Sequence, residues 1–125
     1  MHDRENTPPT LGHGKICYIQ IPAVDVHESA KFYHKVFDWN IRVRSDGELA
    51  FDDGVNEVSG TFVLGRRPLE ASGLMIYIMV DDVARTLEAI TRHGGEIAEG
   101  PMGTWPELTA EFRDPAGNVM GVGQQ

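Results

Sequence analysis

Three side chains in this sequence have chemistry suited to proton transfer in a binding cavity: Tyr18, Tyr77 and Glu111. A tyrosine hydroxyl both donates and accepts a hydrogen bond, and a glutamate removed from water can titrate near neutral pH as a general base. All three stand in strand-like runs of the sequence. For Glu111 the simpler interpretation is an exposed charge on a strand. We therefore treat the three as weak catalytic candidates.

Other reactive residue types are placed less favourably. The single cysteine, Cys17, excludes an intramolecular disulfide, and its position on the core-facing side of a predicted strand indicates a buried, unreactive thiol. No Ser, His and Asp are spaced as a nucleophilic triad. The histidines fall in the polar N-terminal segment, on the outer face of one predicted helix or near the end of another: His2, His13, His27, His34 and His93.

The first half of the chain predicts the element order β-α-β-β-β. It begins with a polar segment, residues 1–14, which we expect to form a flexible leader. Residues 16–21 are rich in β-forming side chains and precede a proline. Asp25 followed by Glu28 is a variant of the capping box, which predicts a helix that ends near residues 38–40. Three candidate strands follow, over residues 41–44, 48–52 and 61–64.

The second half predicts the same order of elements. A strand over residues 74–80 precedes Asp82 and a helix that ends at Gly94, and further strands are predicted near residues 96–98, 109–112 and 119–122. A shift of 57 residues aligns Ile19, Ile21, Asp25 and Val26 with Ile76, Ile78, Asp82 and Val83. We interpret the halves as an internal duplication, with modules over about residues 15–67 and 72–125.

Composition excludes several classes of protein. The 125 residues are 41% hydrophobic and 24% charged, which is typical of one folded domain and not of a disordered chain. The net charge of −8, with no basic cluster beyond Arg66 and Arg67, argues against a nucleic-acid partner. No apolar run approaches the ~20 residues of a membrane helix. We expect a cytoplasmic protein with no membrane association.

Two segments resemble the vicinal oxygen chelate superfamily, which includes glyoxalase I, bleomycin-resistance proteins, fosfomycin-resistance enzymes and extradiol dioxygenases. They are residues 19–40, with the runs IPAVD and KFYHKVFDWN, and residues 114–118, DPAGN, which is similar to a DPxGN turn before the last strand. In the second run, Phe32-Tyr33, Val36-Phe37 and Trp39 further resemble an uncharacterised glyoxalase-like subgroup. The resemblance covers about residues 15–123. It implies an α+β fold in which two βαβββ modules form a cup-shaped pair of half-barrels, with outer helices, and it favours a homodimer.

In many members of that superfamily, the cup holds a metal ion with about three His and Glu ligands. The positions that match those ligands here hold Tyr18, Met75 and Gly121. Tyrosine binds such an ion only when its hydroxyl is strongly acidified, and a thioether is a soft donor. We therefore expect no metal ion and no other cofactor.

If Tyr18 points into the cup, alternation along the strands predicts a set of inward side chains, with Trp105 as a lid. The predicted ligand-binding residues are Tyr18, Gln20, Met75, Tyr77, Met79, Trp105 and Gly121. Aromatic, thioether and amide groups with glycine beside them suit a flat, partly apolar small molecule. The alternative is that these side chains fill a small barrel interior and that Trp105 packs as an ordinary loop residue.

Three functions remain open from the sequence. The leading hypothesis is a glyoxalase/bleomycin-resistance-like protein that binds or processes a small organic compound without the usual metal centre. The alternative is a metal-dependent lyase or dioxygenase whose ligands are shifted from the expected positions. A third is an interaction protein with a filled cup. Whether the protein is an enzyme stays open. If it is, Tyr18, Tyr77 and Glu111 are the candidates for catalysis.

Overall fold

The structure, a computed structural model, describes residues 8–124 as two helices and two four-stranded sheets. This is the predicted α+β fold. Part of the predicted leader, residues 1–7, lies outside the described residues, as does residue 125. The elements are β1 (Tyr18–Ala23), α1 (Val26–Phe37), β2 (Asn40–Val43), β3 (Leu49–Asp52), β4 (Ser59–Leu64), β5 (Tyr77–Met79), α2 (Val83–Arg92), β6 (Glu96–Thr104), β7 (Glu107–Arg113) and β8 (Val119–Gly123).

Both helices begin with the same device. The carboxylate of Asp25 accepts a hydrogen bond from the backbone N–H of Glu28 at 3.1 Å, and that of Asp82 accepts one from the backbone N–H of Arg85 at 3.0 Å. Each aspartate satisfies an N–H group that has no partner inside its helix. The helix starts thus stand at the offset that the sequence comparison of the two halves predicts.

The sheets repeat one topology. Their strand orders are β1-β4-β3-β2 and β5-β8-β7-β6. The pairs β1–β4 and β5–β8 are parallel, and the other neighbouring strands are antiparallel. This equivalence supports the internal duplication. Within the described residues the hydrogen-bonded strands form two separate sheets and are not closed into a barrel.

Three strands differ most from their predicted bounds. β1 runs through Pro22, because it is an edge strand and a missing N–H there costs no ladder bond. β5 is shorter than predicted and starts at Tyr77, after a turn and an irregular segment. β6 is longer and reaches Thr104, because register shifts in its pairing with β7 accommodate Gly100 and Pro101. The sequence predicted a strand here only near residues 96–98.

Helix α1 joins the two sheets. Its buried Phe32 contacts the ring of Phe112 in β7, with ring centroids 6.0 Å apart. Its buried Tyr33 stacks on Trp39 at 4.6 Å and lies 5.9 Å from the ring of Phe62 in β4. The helices therefore cover one face of each sheet. Strand alternation places the predicted cup residues on the opposite face of each sheet. We call that face the open face.

Cys17 is exposed, so the prediction of a buried thiol is wrong. The paired part of β1 begins one residue later, at Tyr18, and Cys17 lies beyond the stretch that the helices cover. None of the helices in residues 8–124 is long and apolar enough to cross a membrane.

The DPAGN turn contains a buried carboxylate that accepts four hydrogen bonds. Asp114 accepts bonds from the Tyr33 hydroxyl at 2.7 Å, from the Asn118 side-chain amide at 2.8 Å, and from the backbone N–H groups of Ala116 and Asn118 at 2.9 Å each. The Asn118 amide also donates to the carbonyl of Pro22 at 2.7 Å. The turn is thereby fixed to α1 and to β1.

Removing the Tyr33 hydroxyl tests this anchor. In Tyr33→Phe, the buried Asp114 carboxylate loses one donor, which we expect to lower the free energy of unfolding by about 1–3 kcal/mol. Urea denaturation measures it. The matched control is Tyr18→Phe, which removes a 3.3 Å bond from a half-exposed side chain and leaves stability nearly unchanged. Equal losses in the two variants would contradict the assignment.

Candidate functional site

The open face of the first sheet carries a row of side chains that crosses all four strands. The strand register aligns Tyr18 with Ser59, Ser59 with Asp52, and Asp52 with Asn40. The adjacent row aligns Gln20 with Thr61, Thr61 with Ala50 and Ala50 with Arg42. Residues two apart in a strand share a face, so Tyr18 and Gln20 lie on one surface, and their register partners lie on it with them. The Tyr18 hydroxyl donates to Thr61 Oγ1 at 3.3 Å.

An ion-pair network occupies the middle of this face. The Asp52 carboxylate accepts bonds from Arg42 Nε and Nη2 at 2.8 and 2.9 Å, from Ser59 Oγ at 2.7 Å and from Asn40 Nδ2 at 3.2 Å. These bonds, the guanidinium above all, lower the pKa of Asp52 to about 2. Asp52 also raises the pKa of Arg42. The network holds the guanidinium in one position on the open face.

Sequence reasoning did not identify this network. Its members come from three strands, and only the pairing register brings them together. Asp46 followed by Gly47 is a hairpin signal in the sequence, and the pairing that it implies for β2 and β3 places Asn40 opposite Asp52. The antiparallel pairing of β3 with β4, which adds Ser59, is not marked by a comparable hairpin signal.

The open face of the second sheet is more apolar and carries two carboxylates. One row aligns Tyr77 with Gly121, Gly121 with Glu111, and Glu111 with Glu99. Tyr77 is 52% exposed and Met79 is 78% exposed. The Tyr77 ring lies directly over Gly121, in the space that a Cβ atom at residue 121 would occupy. The structure thus brings three predicted site residues, Tyr77, Gly121 and Glu111, into one row.

Two of the predicted residues lie outside the strands that form these rows. Met75 precedes β5 in the irregular segment and is half-buried. Trp105 lies in the turn between β6 and β7, where 73% of its surface is exposed. The predicted residues therefore fall into two groups, Tyr18 and Gln20 on the first sheet and the others on or near the second.

The sequence of the chain is similar to that of known proteins. A sequence profile of the Glyoxalase/Bleomycin resistance protein/Dioxygenase superfamily matches residues 15–122. The chain belongs to this superfamily. A glyoxylase-like domain-containing protein of Didymella fabae is 30% identical to it over 126 residues, which cover 88% of this chain and 93% of that protein.

Two solved structures share the fold. The antibiotic binding protein TnmS3 from Streptomyces sp. CB03234 superposes with a TM-score of 0.68 at 19% identity, over 92% of this chain and 98% of that one. The fosfomycin resistance protein FosX from Mesorhizobium loti superposes with a TM-score of 0.70 at 18% identity, over 92% and 94%.

The residues of this glyoxalase superfamily member do not fit the metal centre that many members contain. The position matched to the last ligand is Gly121, and the Tyr77 ring fills the space into which a longer side chain would extend. Tyr18 and Met75 supply no carboxylate or imidazole at the other two positions. Among residues 8–124, no three His, Cys, Asp or Glu side chains are grouped so that they could hold a metal ion.

The ion pair of the first open face predicts a specific acid response. Because the folded-state pKa of Asp52 is about 2 and its ordinary value is 3.8, the folded state favours the carboxylate. The resulting stability is present above the ordinary pKa and is lost as the pH falls through about 2. We expect Asp52→Asn to flatten this part of the pH profile of the unfolding free energy. Urea denaturation from acid to neutral pH measures it.

Asp81→Asn is the control for that experiment, because Asp81 is exposed. It should keep the wild-type acid response. If Asp52→Asn also kept that response, the ion pair would not stabilise the folded state as described.

Proposed function

We propose that this glyoxalase superfamily member binds a small, partly apolar organic molecule at its open faces, without the usual metal ion. The observation that carries the proposal is the Tyr77 ring, half-exposed and lying over Gly121 on a face that no helix covers. Large apolar side chains exposed together on one surface are typical of a binding site. Met79 of β5 and Trp105 of the turn between β6 and β7 add further exposed apolar area.

The two open faces favour different parts of a ligand. On the first sheet, Tyr18, Gln20 and Arg42 supply hydroxyl, amide and guanidinium hydrogen bonds. On the second sheet, Tyr77 and Met79 supply an aromatic surface and a polarizable thioether. We infer a flat molecule with an apolar body and oxygen-containing groups along one edge.

The similarity to TnmS3 and FosX supports a small-molecule partner, because the first is described as an antibiotic binding protein and the second as a fosfomycin resistance protein. Binding requires only the open faces. Catalysis would in addition require proton transfer by Tyr18, Tyr77 or Glu111, and Glu111 stands in the same row as Tyr77. The metal-dependent lyase or dioxygenase alternative gains no support from the donor set described above.

We also propose a homodimer. Each sheet ends in edge strands, β1 and β2 in one and β5 and β6 in the other, and a second copy that pairs along such an edge would leave the open faces accessible. Sedimentation velocity at micromolar concentration should show a dimer, and a monomer would contradict this proposal. Cytoplasmic residence stays a prediction from the sequence.

A thermal-shift screen of flat aromatic compounds that carry hydroxyl or carbonyl groups tests the binding function. A ligand present at roughly 100 times its Kd stabilises the folded state by about 2.7 kcal/mol, which is readily measured. We expect Tyr77→Ala to weaken binding of a hit by roughly tenfold or more, because an aromatic anchor is lost.

The control variant is Leu64→Ala. Leu64 is 61% exposed but pairs with the buried Ala23 on the helix side of the first sheet. It should bind the hit as the wild type does. If no compound stabilises the protein, the filled-cup interpretation is favoured and the proposal is wrong; undiminished binding by Tyr77→Ala would contradict the assigned face.

A further inference from the structure

A second concave surface lies where α1 ends and α2 begins. This groove has a volume of about 400 Å³, within the range of small-molecule sites. Its walls come from three segments and include the partly buried Val36 and Phe37 of α1, Ile78 and Val80 around β5, and Thr86 of α2. We call it the helix-junction groove.

The helix-junction groove is separate from the open faces. Ile78 and Val80 pack against the hydrophobic core, and strand alternation turns them away from the face that carries Tyr77. Met79, at the rim, is the one predicted cup residue that also lines the groove. A ligand here would contact both modules through the ends of their helices.

The rim of the groove is negatively charged. Asp38, Asp81 and Asp82 line it, against one positive side chain, Arg85. Asp38 follows the last turn of α1, where the backbone carbonyls form the negative end of the helix dipole. The carboxylate of Asp82 is bonded to the backbone N–H of Arg85, so it already offsets the positive end of α2. The groove thus combines apolar walls with an excess of negative charge.

We propose that the helix-junction groove binds a small organic cation, with its apolar body against Val36, Phe37 and Ile78 and its ammonium group near Asp38 and Asp81. An anion would be repelled by the rim and by the net charge of −8. A neutral molecule of the same shape would gain the apolar contact alone. The preference for the cation is therefore the property that distinguishes this site.

Titration of ¹⁵N-labelled protein with 2-phenylethylammonium, followed by amide chemical shifts, tests the proposal. The neutral 2-phenylethanol and the anionic 3-phenylpropionate are titrated in parallel. We expect shift changes at Val36, Asp38, Asp81 and Thr86, tightest binding for the ammonium compound, and weaker binding as salt is raised. These comparisons use the wild-type protein and do not depend on any variant.

Variants then locate the charge. Asp38→Asn and Asp81→Asn should each weaken binding of the ammonium compound by about two- to fivefold, the range expected for one partly exposed charge. Asparagine tolerates the left-handed backbone of residue 38, whose φ is 58°, so the fold is retained. The control, Asp46→Asn, removes an exposed carboxylate in the β2–β3 turn and should leave the affinity unchanged.

Three results would overturn the proposal: no shift changes at the groove, equal affinity for the ammonium compound and the alcohol, or shift changes that centre on Tyr77 and Gly121. The last would show binding at the open face, so the outcome for this groove and that for the proposed function are read separately.

Discussion

The hydrogen-bonded carboxylate of Asp114 fixes how the two modules sit together. It belongs to the second module, yet it receives a bond from Tyr33 of α1, while its neighbour Asn118 bonds to the carbonyl of Pro22 in β1. Burial is the main effect on this carboxyl and raises its pKa, although four hydrogen bonds oppose that effect. With α1 held there, its aromatic side chains contact both sheets, and the open faces stay free of helices.

Much of the fold could be predicted because its signals are local. Asp25 and Asp82 each begin a helix by accepting a hydrogen bond from the backbone N–H three residues later, and the two aspartates are separated by the offset of the repeat. Errors arose where tertiary pairing decides. The long β6 includes Gly100 and Pro101 because β7 pairs around them, and Cys17 is exposed because β1 begins just after it. Neither fact is visible in a window of neighbouring residues.

The candidate site was predicted in part for the same reason. Alternation along a single strand was enough to put Tyr18 beside Gln20, and alternation along two further strands assigned Tyr77 and Gly121 to the same face, although their direct pairing follows only from the register. The Asp52 network was missed, since its four members lie on three strands and only the pairing register brings them together. The resulting picture is two open faces, one with fixed polar groups and one with exposed aromatic and thioether groups.

Tyr18, Met75 and Gly121 stand where the superfamily's metal ligands are expected, and we propose that the site works without a metal ion. Elemental analysis of protein purified without an affinity tag, repeated after dialysis against manganese, zinc or nickel, tests this most directly. We expect background metal content in every sample. Near-stoichiometric retention of any one of these metals would contradict the proposal and would mean that other side chains converge to bind it.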